Sequence, residues 1–241
     1  MNLVIDIGNS SAKYAVFDER KLIANKSVKE ITGETMQQLL ISFPSINQAI
    51  ICSVTKGGKF EKIVKDFIST TVVLNESTIL PIKNCYKTPD TLGYDRLAGV
   101  IGATVLKPSS NLLVIDVGTA ITYDLLDEKS QYIGGNISPG LIMRFRALHD
   151  YTERLPLLSP SDDYVLVADN TTCAIISGVQ HGIIFEIDAY IDELRKRSNS
   201  LSVFLTGGDC FFFEKKIKNP IFVEPTLVLI GLNEILLHNH R

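Results

Sequence analysis

The four cysteines of this 241-residue chain, Cys52, Cys85, Cys173 and Cys210, form no Cys-x-x-Cys pair and no Cys/His ligand spacing. That excludes a secreted disulfide scaffold and predicts buried free thiols in a reducing cytosol. Its four histidines, His149, His181, His238 and His240, show no metal-ligand spacing either. Charge of one sign is also missing. Twenty-four Lys and Arg face 27 Asp and Glu, for a formal net charge of −3, which argues against nucleic-acid binding through a global positive field. Long apolar runs are absent: residues 111–126 are interrupted by Asp116 and Asp124, and 221–237 by Glu224, Pro225, Asn233 and Glu234. Neither offers the roughly 20 apolar residues of a membrane span. No basic stretch or small-residue cleavage site precedes the first apolar run, so the chain reads as cytoplasmic, with no membrane partner. Two familiar nucleotide signatures are missing as well. Lys56-Gly57-Gly58-Lys59 lacks the spacing and terminal hydroxyl of a Walker loop, and no Gly-x-Gly-x-x-Gly occurs.

What remains is apolar enough to fold, with 45% hydrophobic and 21% charged residues. Short apolar runs at 3–7, 13–17 and 22–28, divided by polar turns, predict an antiparallel meander. Helical spacing at Met36, Leu39 and Leu40 and again at 60–67 alternates with strand-like runs at 49–54 and 71–74. Residues 111–117 and 121–126 then repeat the opening pattern. Asp116-Val117-Gly118 lies 110 residues after Asp6-Ile7-Gly8. Later runs predict a helix over 183–194, a buried strand over 201–205 and a closing helix over 226–238. The simplest account is a duplicated α/β unit, with halves at 1–107 and 108–241.

Both Asp-x-Gly turns follow apolar strands. One copy alone reads as a hairpin turn. Two copies in matching positions suggest phosphate loops of an ATP cleft, because a carboxylate at a strand end holds a hydrated cation and glycine admits a phosphate close to backbone N–H groups. Asn9, Ser10 and Ser11 add an amide and two hydroxyls to the first turn, while Thr119 and Thr122 add hydroxyls to the second. Lys13 offsets phosphate charge. Gly93-Tyr94-Asp95-Arg96 opens a helical stretch with small residues at Ala98, Gly99, Gly102 and Ala103, suited to a close helix contact. Asp95 reads either as a helix-capping acid or as a group that orients a substrate hydroxyl and takes its proton. Arg96 could grip a carboxylate or phosphate oxygen, or form a surface ion pair. Gly134-Gly135-Asn136-Ile137-Ser138-Pro139-Gly140 predicts a shaped loop before a helix over 141–155, on whose surface His149 would lie.

Taken in order, Asp6-x-Gly8-Asn9-Ser10, Gly93-x-Asp95-Arg96, Asp116-x-Gly118-Thr119-Ala120 and Gly134-Gly135-x-Ile137-x-Pro139-Gly140 resemble the motifs of type III pantothenate kinases. Thr152-x-x-Leu155-Pro156, Asn170-Thr171-x-x-Ala174-x-x-Ser177-Gly178 and Thr206-Gly207-Gly208 extend the resemblance along the chain. It implies a duplicated actin-like ATPase (ribonuclease H-like) α/β fold, two similar halves around an ATP cleft. It also implies transfer of the ATP γ-phosphate to pantothenate, the first step of coenzyme A synthesis, with Mg²⁺ and a monovalent cation (K⁺ or NH₄⁺), by a homodimer. Carried over by position, Asp6, Gly8, Asn9, Ser10, Ser11, Lys13 and Thr119 would bind ATP, with Asp6 holding Mg²⁺ through water. Asp95 would be the catalytic base. Tyr86, Gly93, Tyr94, Asp95, Arg96 and, across the dimer interface, Thr171 would hold pantothenate. Asp116 would hold the monovalent cation.

Two other readings stand beside this one: an actin-fold kinase for another small hydroxylated acid or sugar, and a non-catalytic nucleotide-responsive regulator. The presence of both Asp95 and Asp116 weighs against the second. Apolar segments near 98–105 and 173–187 are the expected contributors to a dimer.

Overall fold

The computed structural model describes residues 1–8, 11–53, 58–198 and 200–240. Contacts gather the chain into two compact units. The first comprises Met1–Ser109, Lys129–Ile133 and Thr226–Arg241; the second comprises Ser110–Glu128 and Gly134–Pro225.

In the first unit, β1 (Asn2–Ile7), β2 (Ala12–Asp18) and β3 (Lys21–Val28) form the expected antiparallel meander. Next come α1 (Gly33–Ser42), β4 (Gln48–Ser53), α2 (Lys59–Phe67), β5 (Thr71–Val73), β6 (Lys83–Asn84) and α3 (Tyr94–Leu106). The strand order is β3-β2-β1-β4-β5, with β4 parallel to both β1 and β5. Strand alternation decides what each face of β1 meets. Leu3, Ile5 and Ile7 pack with Met36 and Leu39 of α1 and Val64 of α2. Val4 packs on the other face, with Ala98 and Ile101 of α3. Asp6 shares the parity of Val4, so the strand delivers a carboxylate to the α3 side. A one-residue slip would exchange the two sets, and burial of each Leu or Ile contributes about 2 kcal/mol against it.

The second unit repeats this plan. It contains β7 (Asn111–Val117), β8 (Ala120–Leu126), the latter part of β9 (Gln131–Pro139), α4 (Leu141–Asp150), α5 (Thr171–Arg195), β10 (Leu201–Thr206), α6 (Cys210–Glu214) and β11 (Phe222–Val223). Its strands run β11-β10-β7-β8-β9, mirroring the first sheet in order, with β7–β8 antiparallel and β10 parallel to β7 and β11. Its core joins Leu113, Ile115 and Val117 to Phe145 of α4 and to Ile183, Ile187 and Ile191 of α5.

The last helix, α7 (Leu227–Asn239), belongs to the first unit and packs on α3 at backbone contact. A Cβ on Gly102 would lie 2.1 Å from the Leu227 carbonyl oxygen, and one on Gly231 would lie 1.8 Å from that of Ala98. Asn233 and Glu234, which interrupt the apolar run of this segment, anchor it. Asn233 donates to the Glu19 carbonyl at 2.7 Å and accepts from Asn2 at 2.7 Å, and Glu234 takes two 2.8 Å bonds from Arg20.

Three local expectations change. The glycine-rich segment 134–139 is the end of strand β9 rather than a loop. Gly134 has φ +143°, and Gly140, just beyond the strand, lies against the carbonyls of Gly118 and Thr119. The following helix stops at Asp150, and Thr152 Oγ1 donates to the Leu148 carbonyl just beyond it. All four cysteines are free, yet only Cys52 and Cys210 are buried. His149 is exposed on α4, as expected.

Candidate active site

The first unit brings two carboxylates together. Asp6 is the penultimate residue of β1, with Lys13 its antiparallel partner and Cys52 its parallel one. Burial pushes the Asp6 carboxyl up to about 6; the nearby Asp95 charge adds to the shift and Lys13 opposes it. Burial, then Asp6 and Asp95, also push the Cys52 thiol well up, which leaves it a protonated, inert side chain.

Asp95 stands in the first turn of α3, whose N-cap Gly93 offers no side chain. The carboxylate folds back: its Oδ1 accepts from the Arg96 backbone N–H at 2.9 Å and occupies the space beside Gly93 where a Cβ would stand. Arg96 is buried, with its guanidinium carbon 5.9 Å from the Tyr86 ring centre. The Tyr86 backbone N–H donates to Asn84 Oδ1 at 2.9 Å. Its ring lies 6.0 Å from that of Tyr132, tilted 59°. Tyr94 is half-buried against the cluster that holds Val4 and Ala98, and burial raises its hydroxyl.

Each Asp-x-Gly segment connects an antiparallel pair, β1 to β2 and β7 to β8, and its glycine N–H bonds across the connection over a different span. Gly8 N–H donates to the Ser11 carbonyl at 3.0 Å, and Gly118 N–H to that of Ala120 at 3.2 Å. Asn9 and Ser10 lie outside the described residues, as do Lys56 and Gly57.

In the second unit, backbone presses on the Asp116 turn from two sides. A Cβ on Gly207 would lie 2.5 Å from Asp116 Oδ1, and Gly207 has φ +97°, which glycine tolerates best. Asp209 N–H donates to the Val117 carbonyl at 3.1 Å, and burial raises the Asp209 carboxyl. From the other side, a Cβ on Gly140 would lie 2.3 Å from the Gly118 oxygen and 2.4 Å from that of Thr119. Thr119 itself is exposed at the turn.

Arg144 secures the end of β9. It donates to the Pro139 carbonyl (2.9 Å), Ser138 Oγ (3.1 Å) and Glu186 Oε2 (2.5 Å), and Tyr123 donates to Glu186 Oε1 at 2.9 Å. Desolvation alone would raise the Glu186 carboxyl. Hydrogen bonds from Arg144, Ser138 and Tyr123 outweigh it and hold the group below the usual range. The glycines at 140 and 207 carry a sequence signal in their motifs; Glu186 and Tyr123, ordinary residues in periodic segments, carry none.

Thr171 begins α5 after its N-cap Asn170, whose Oδ1 accepts from Cys173 N–H at 3.0 Å. It lines a groove of about 1070 Å³ with Arg144, Leu148, Tyr151, Ile175 and Val179; neither Asp116 nor Thr119 does. Among the described residues, no cluster of three or more His, Cys, Asp or Glu is placed to hold a metal, and no helix is long and apolar enough to cross a membrane.

The family model for type III pantothenate kinases matches residues 2–193. A type III pantothenate kinase of Phocaeicola vulgatus is 43% identical over 242 residues, covering 100% of both chains. The chain belongs to the type III pantothenate kinases. A family member from Flavobacterium johnsoniae is 40% identical, covering 97% of this chain and 96% of its own. Among solved structures, a candidate Baf-family transcriptional activator from Campylobacter jejuni superposes with a TM-score of 0.63 at 22% identity, covering 99% of this chain and 98% of that one. A candidate N-acetylmannosamine kinase from Listeria monocytogenes gives 0.54 at 12% identity, covering 100% and 99%. Likeness this distant establishes fold alone. It agrees with the two matching sheets in giving this kinase the duplicated actin-like ATPase architecture.

Proposed function

We propose that the chain transfers the γ-phosphoryl group of ATP to the primary hydroxyl of pantothenate, giving 4′-phosphopantothenate, the first intermediate of coenzyme A synthesis. The observation that carries this reading, beside family membership, is the placement of Asp95 near Asp6 and next to buried Arg96. A proton acceptor, a phosphate-turn carboxylate and an anion-binding guanidinium thus come from one strand end and one helix start.

The transition state of phosphoryl transfer is loose, so positioning and electrostatics matter more than a strong base. Asp95 orients the acceptor hydroxyl and receives its proton on a carboxylate oxygen. Arg96 and Tyr86, with Gly93 and Tyr94, bind pantothenate, the guanidinium pairing with its carboxylate. Thr171, at the start of α5, adds a contact across the dimer interface. The turn from Asp6 through Gly8, Asn9, Ser10 and Ser11 to Lys13, together with Thr119, binds ATP phosphates through N–H groups, hydroxyls and one ammonium. Residues 1–107 and 108–241, which carry these two turns, are read as copies of one ancestral unit on the strength of their matching strand orders.

Mg²⁺, held through water, fits Asp6, a buried carboxylate at the phosphate turn with the charge of Asp95 nearby and Lys13 opposing it. Mg²⁺ is commonly held by one or two carboxylates plus substrate phosphates and needs no larger cluster. When bound, it neutralises phosphate charge. A monovalent cation, K⁺ or NH₄⁺, fits the half-buried Asp116 carboxylate, which lies against the backbone of Gly207.

A homodimer is supported by exposed Tyr151, Val165, Leu166 and Val167 on the second unit. Residues 98–103 do not contribute, because they are buried in the first unit, where α3 packs on α7. The exposed free thiol of Cys85 suits a cytoplasmic, reducing setting.

The deciding experiment measures ADP release with and without pantothenate and K⁺, against a panel of other hydroxylated acids and sugars. Release is expected to require both pantothenate and the cation. Asp95→Asn should lower kcat by about 10²- to 10⁴-fold while ATP still binds. Full activity of that variant, or turnover of another acceptor in place of pantothenate, would refute the assignment.

A further inference from the structure

We infer that Tyr132 is a positioning residue of the acceptor site, its buried ring setting how Tyr86 is presented beside Arg96. The inference rests on the reading that Tyr86 and Arg96 hold pantothenate.

Tyr86 follows β6, a strand of two residues, too short to orient a side chain by itself. Its orientation comes from β9. Asn84 is the register partner of Tyr132, and backbone bonds flank that pair: Lys83 N–H to the Ser130 carbonyl at 2.9 Å, and Cys85 N–H to the Tyr132 carbonyl at 3.0 Å. The second bond fixes the residue immediately before Tyr86. Beyond it the Asn84 side chain takes the Tyr86 N–H and turns the chain.

The ring of Tyr86 is supported in the same place. Its centre lies 6.0 Å from that of Tyr132 at 59°, within the tilted arrangements that aromatic pairs favour. Arg96 lies 5.9 Å from the Tyr86 ring centre, so the three side chains form a series from Tyr132 through Tyr86 to the guanidinium. Tyr132 is 0% exposed. It touches no substrate and acts through Tyr86, and an aliphatic side chain at 132 would leave that ring without its aromatic neighbour.

The test compares full-length Tyr132→Phe, Tyr132→Leu, Tyr132→Met and Tyr86→Leu with Phe145→Leu, which removes an equally buried aromatic ring from the second unit. Tyr132→Leu should raise KM for pantothenate about three- to tenfold, with KM for ATP and kcat within about twofold of wild type. Tyr132→Phe, which keeps the ring, should restore KM for pantothenate, and Phe145→Leu should lower Tm without moving it. Tyr132→Met takes the place of the Leu variant should that one not fold. Equal changes in both KM values, or a loss of Tm alone, would overturn the inference. Tyr86→Leu separates the two levels: an unchanged KM for pantothenate refutes the reading of Tyr86 itself, whereas a raised KM there with none in Tyr132→Leu and Tyr132→Met refutes only the role of Tyr132.

Discussion

Gly93 and Asp95 share one small volume: Asp95 Oδ1 lies 2.3 Å from the point a Cβ on Gly93 would occupy. The φ of Gly93 is −61°, so alanine is conformationally acceptable there. What alanine cannot do is leave the carboxylate where it is. Gly93→Ala should fold, with a stability change within about 1 kcal/mol, while kcat falls by about 10²-fold through displacement of Asp95. Thermal melts beside steady-state kinetics test the split; retained kcat would mean that this carboxylate position is not the working one.

The contact between α3 and α7 behaves differently, because the obstructing atoms are backbone. Gly231→Ala would place its Cβ 1.8 Å from the Ala98 oxygen, and the helices must separate. The expected loss is about 3 kcal/mol or more in urea unfolding. Gly178 of α5 is a counterpart with nothing within 4 Å of the added Cβ. Gly178→Ala should gain up to about 1 kcal/mol from helix propensity.

Asp116 and Gly207 give a test of the cation assignment. Asp116→Asn should abolish activation by K⁺ at concentrations that saturate the wild type. Gly207→Ala moves the carboxylate rather than removing it, and should raise the K⁺ needed for half-activation by about ten- to hundredfold. Titration of activity with K⁺ at fixed Mg²⁺ and ATP reads both, and an unchanged K⁺ response in Asp116→Asn would rule Asp116 out.

Two carboxylates predict opposite pH trends in stability. The folded pKa of Asp6 is raised to about 6, so ionising it opposes folding: the protein loses stability as pH rises from about 4 to above 6. Asp6→Asn should therefore be more stable than wild type at pH 7, with the gain fading towards pH 4. Glu186 is shifted down, so its contribution is present above the unfolded value and is lost as pH falls through the folded one. Glu186→Gln should be less stable at pH 7 and match wild type in strong acid. Urea unfolding across pH, without added metal, checks both signs.

Much of the architecture is legible in short-range pattern. The runs before Asp6 and Asp116 are short and continuously apolar, as buried strands are, and their repeat at an offset of 110 residues announces the duplication that the two sheets display. The small residues at 98–103 foretell a close helix contact because a face with few Cβ atoms lets two helix backbones approach. The segment at 134–139 misleads for the same reason. Glycine and proline are read locally as turn formers, whereas Gly140 is required by the approach of Gly118 and Thr119, more than 20 residues earlier in sequence.

The sequence by itself therefore determined most of the elements, the repeat and, through ordered motifs, the family. Tertiary structure alone decided which residues meet. It set Asp6 near Asp95, 89 positions later, returned α7 to the first unit, closed Gly207 on Asp116 and put Tyr132 behind Tyr86. Periodicity is a property of neighbours along the chain. Burial, repulsion between carboxylates and backbone contact arise between residues that only folding brings together, and they shape this site.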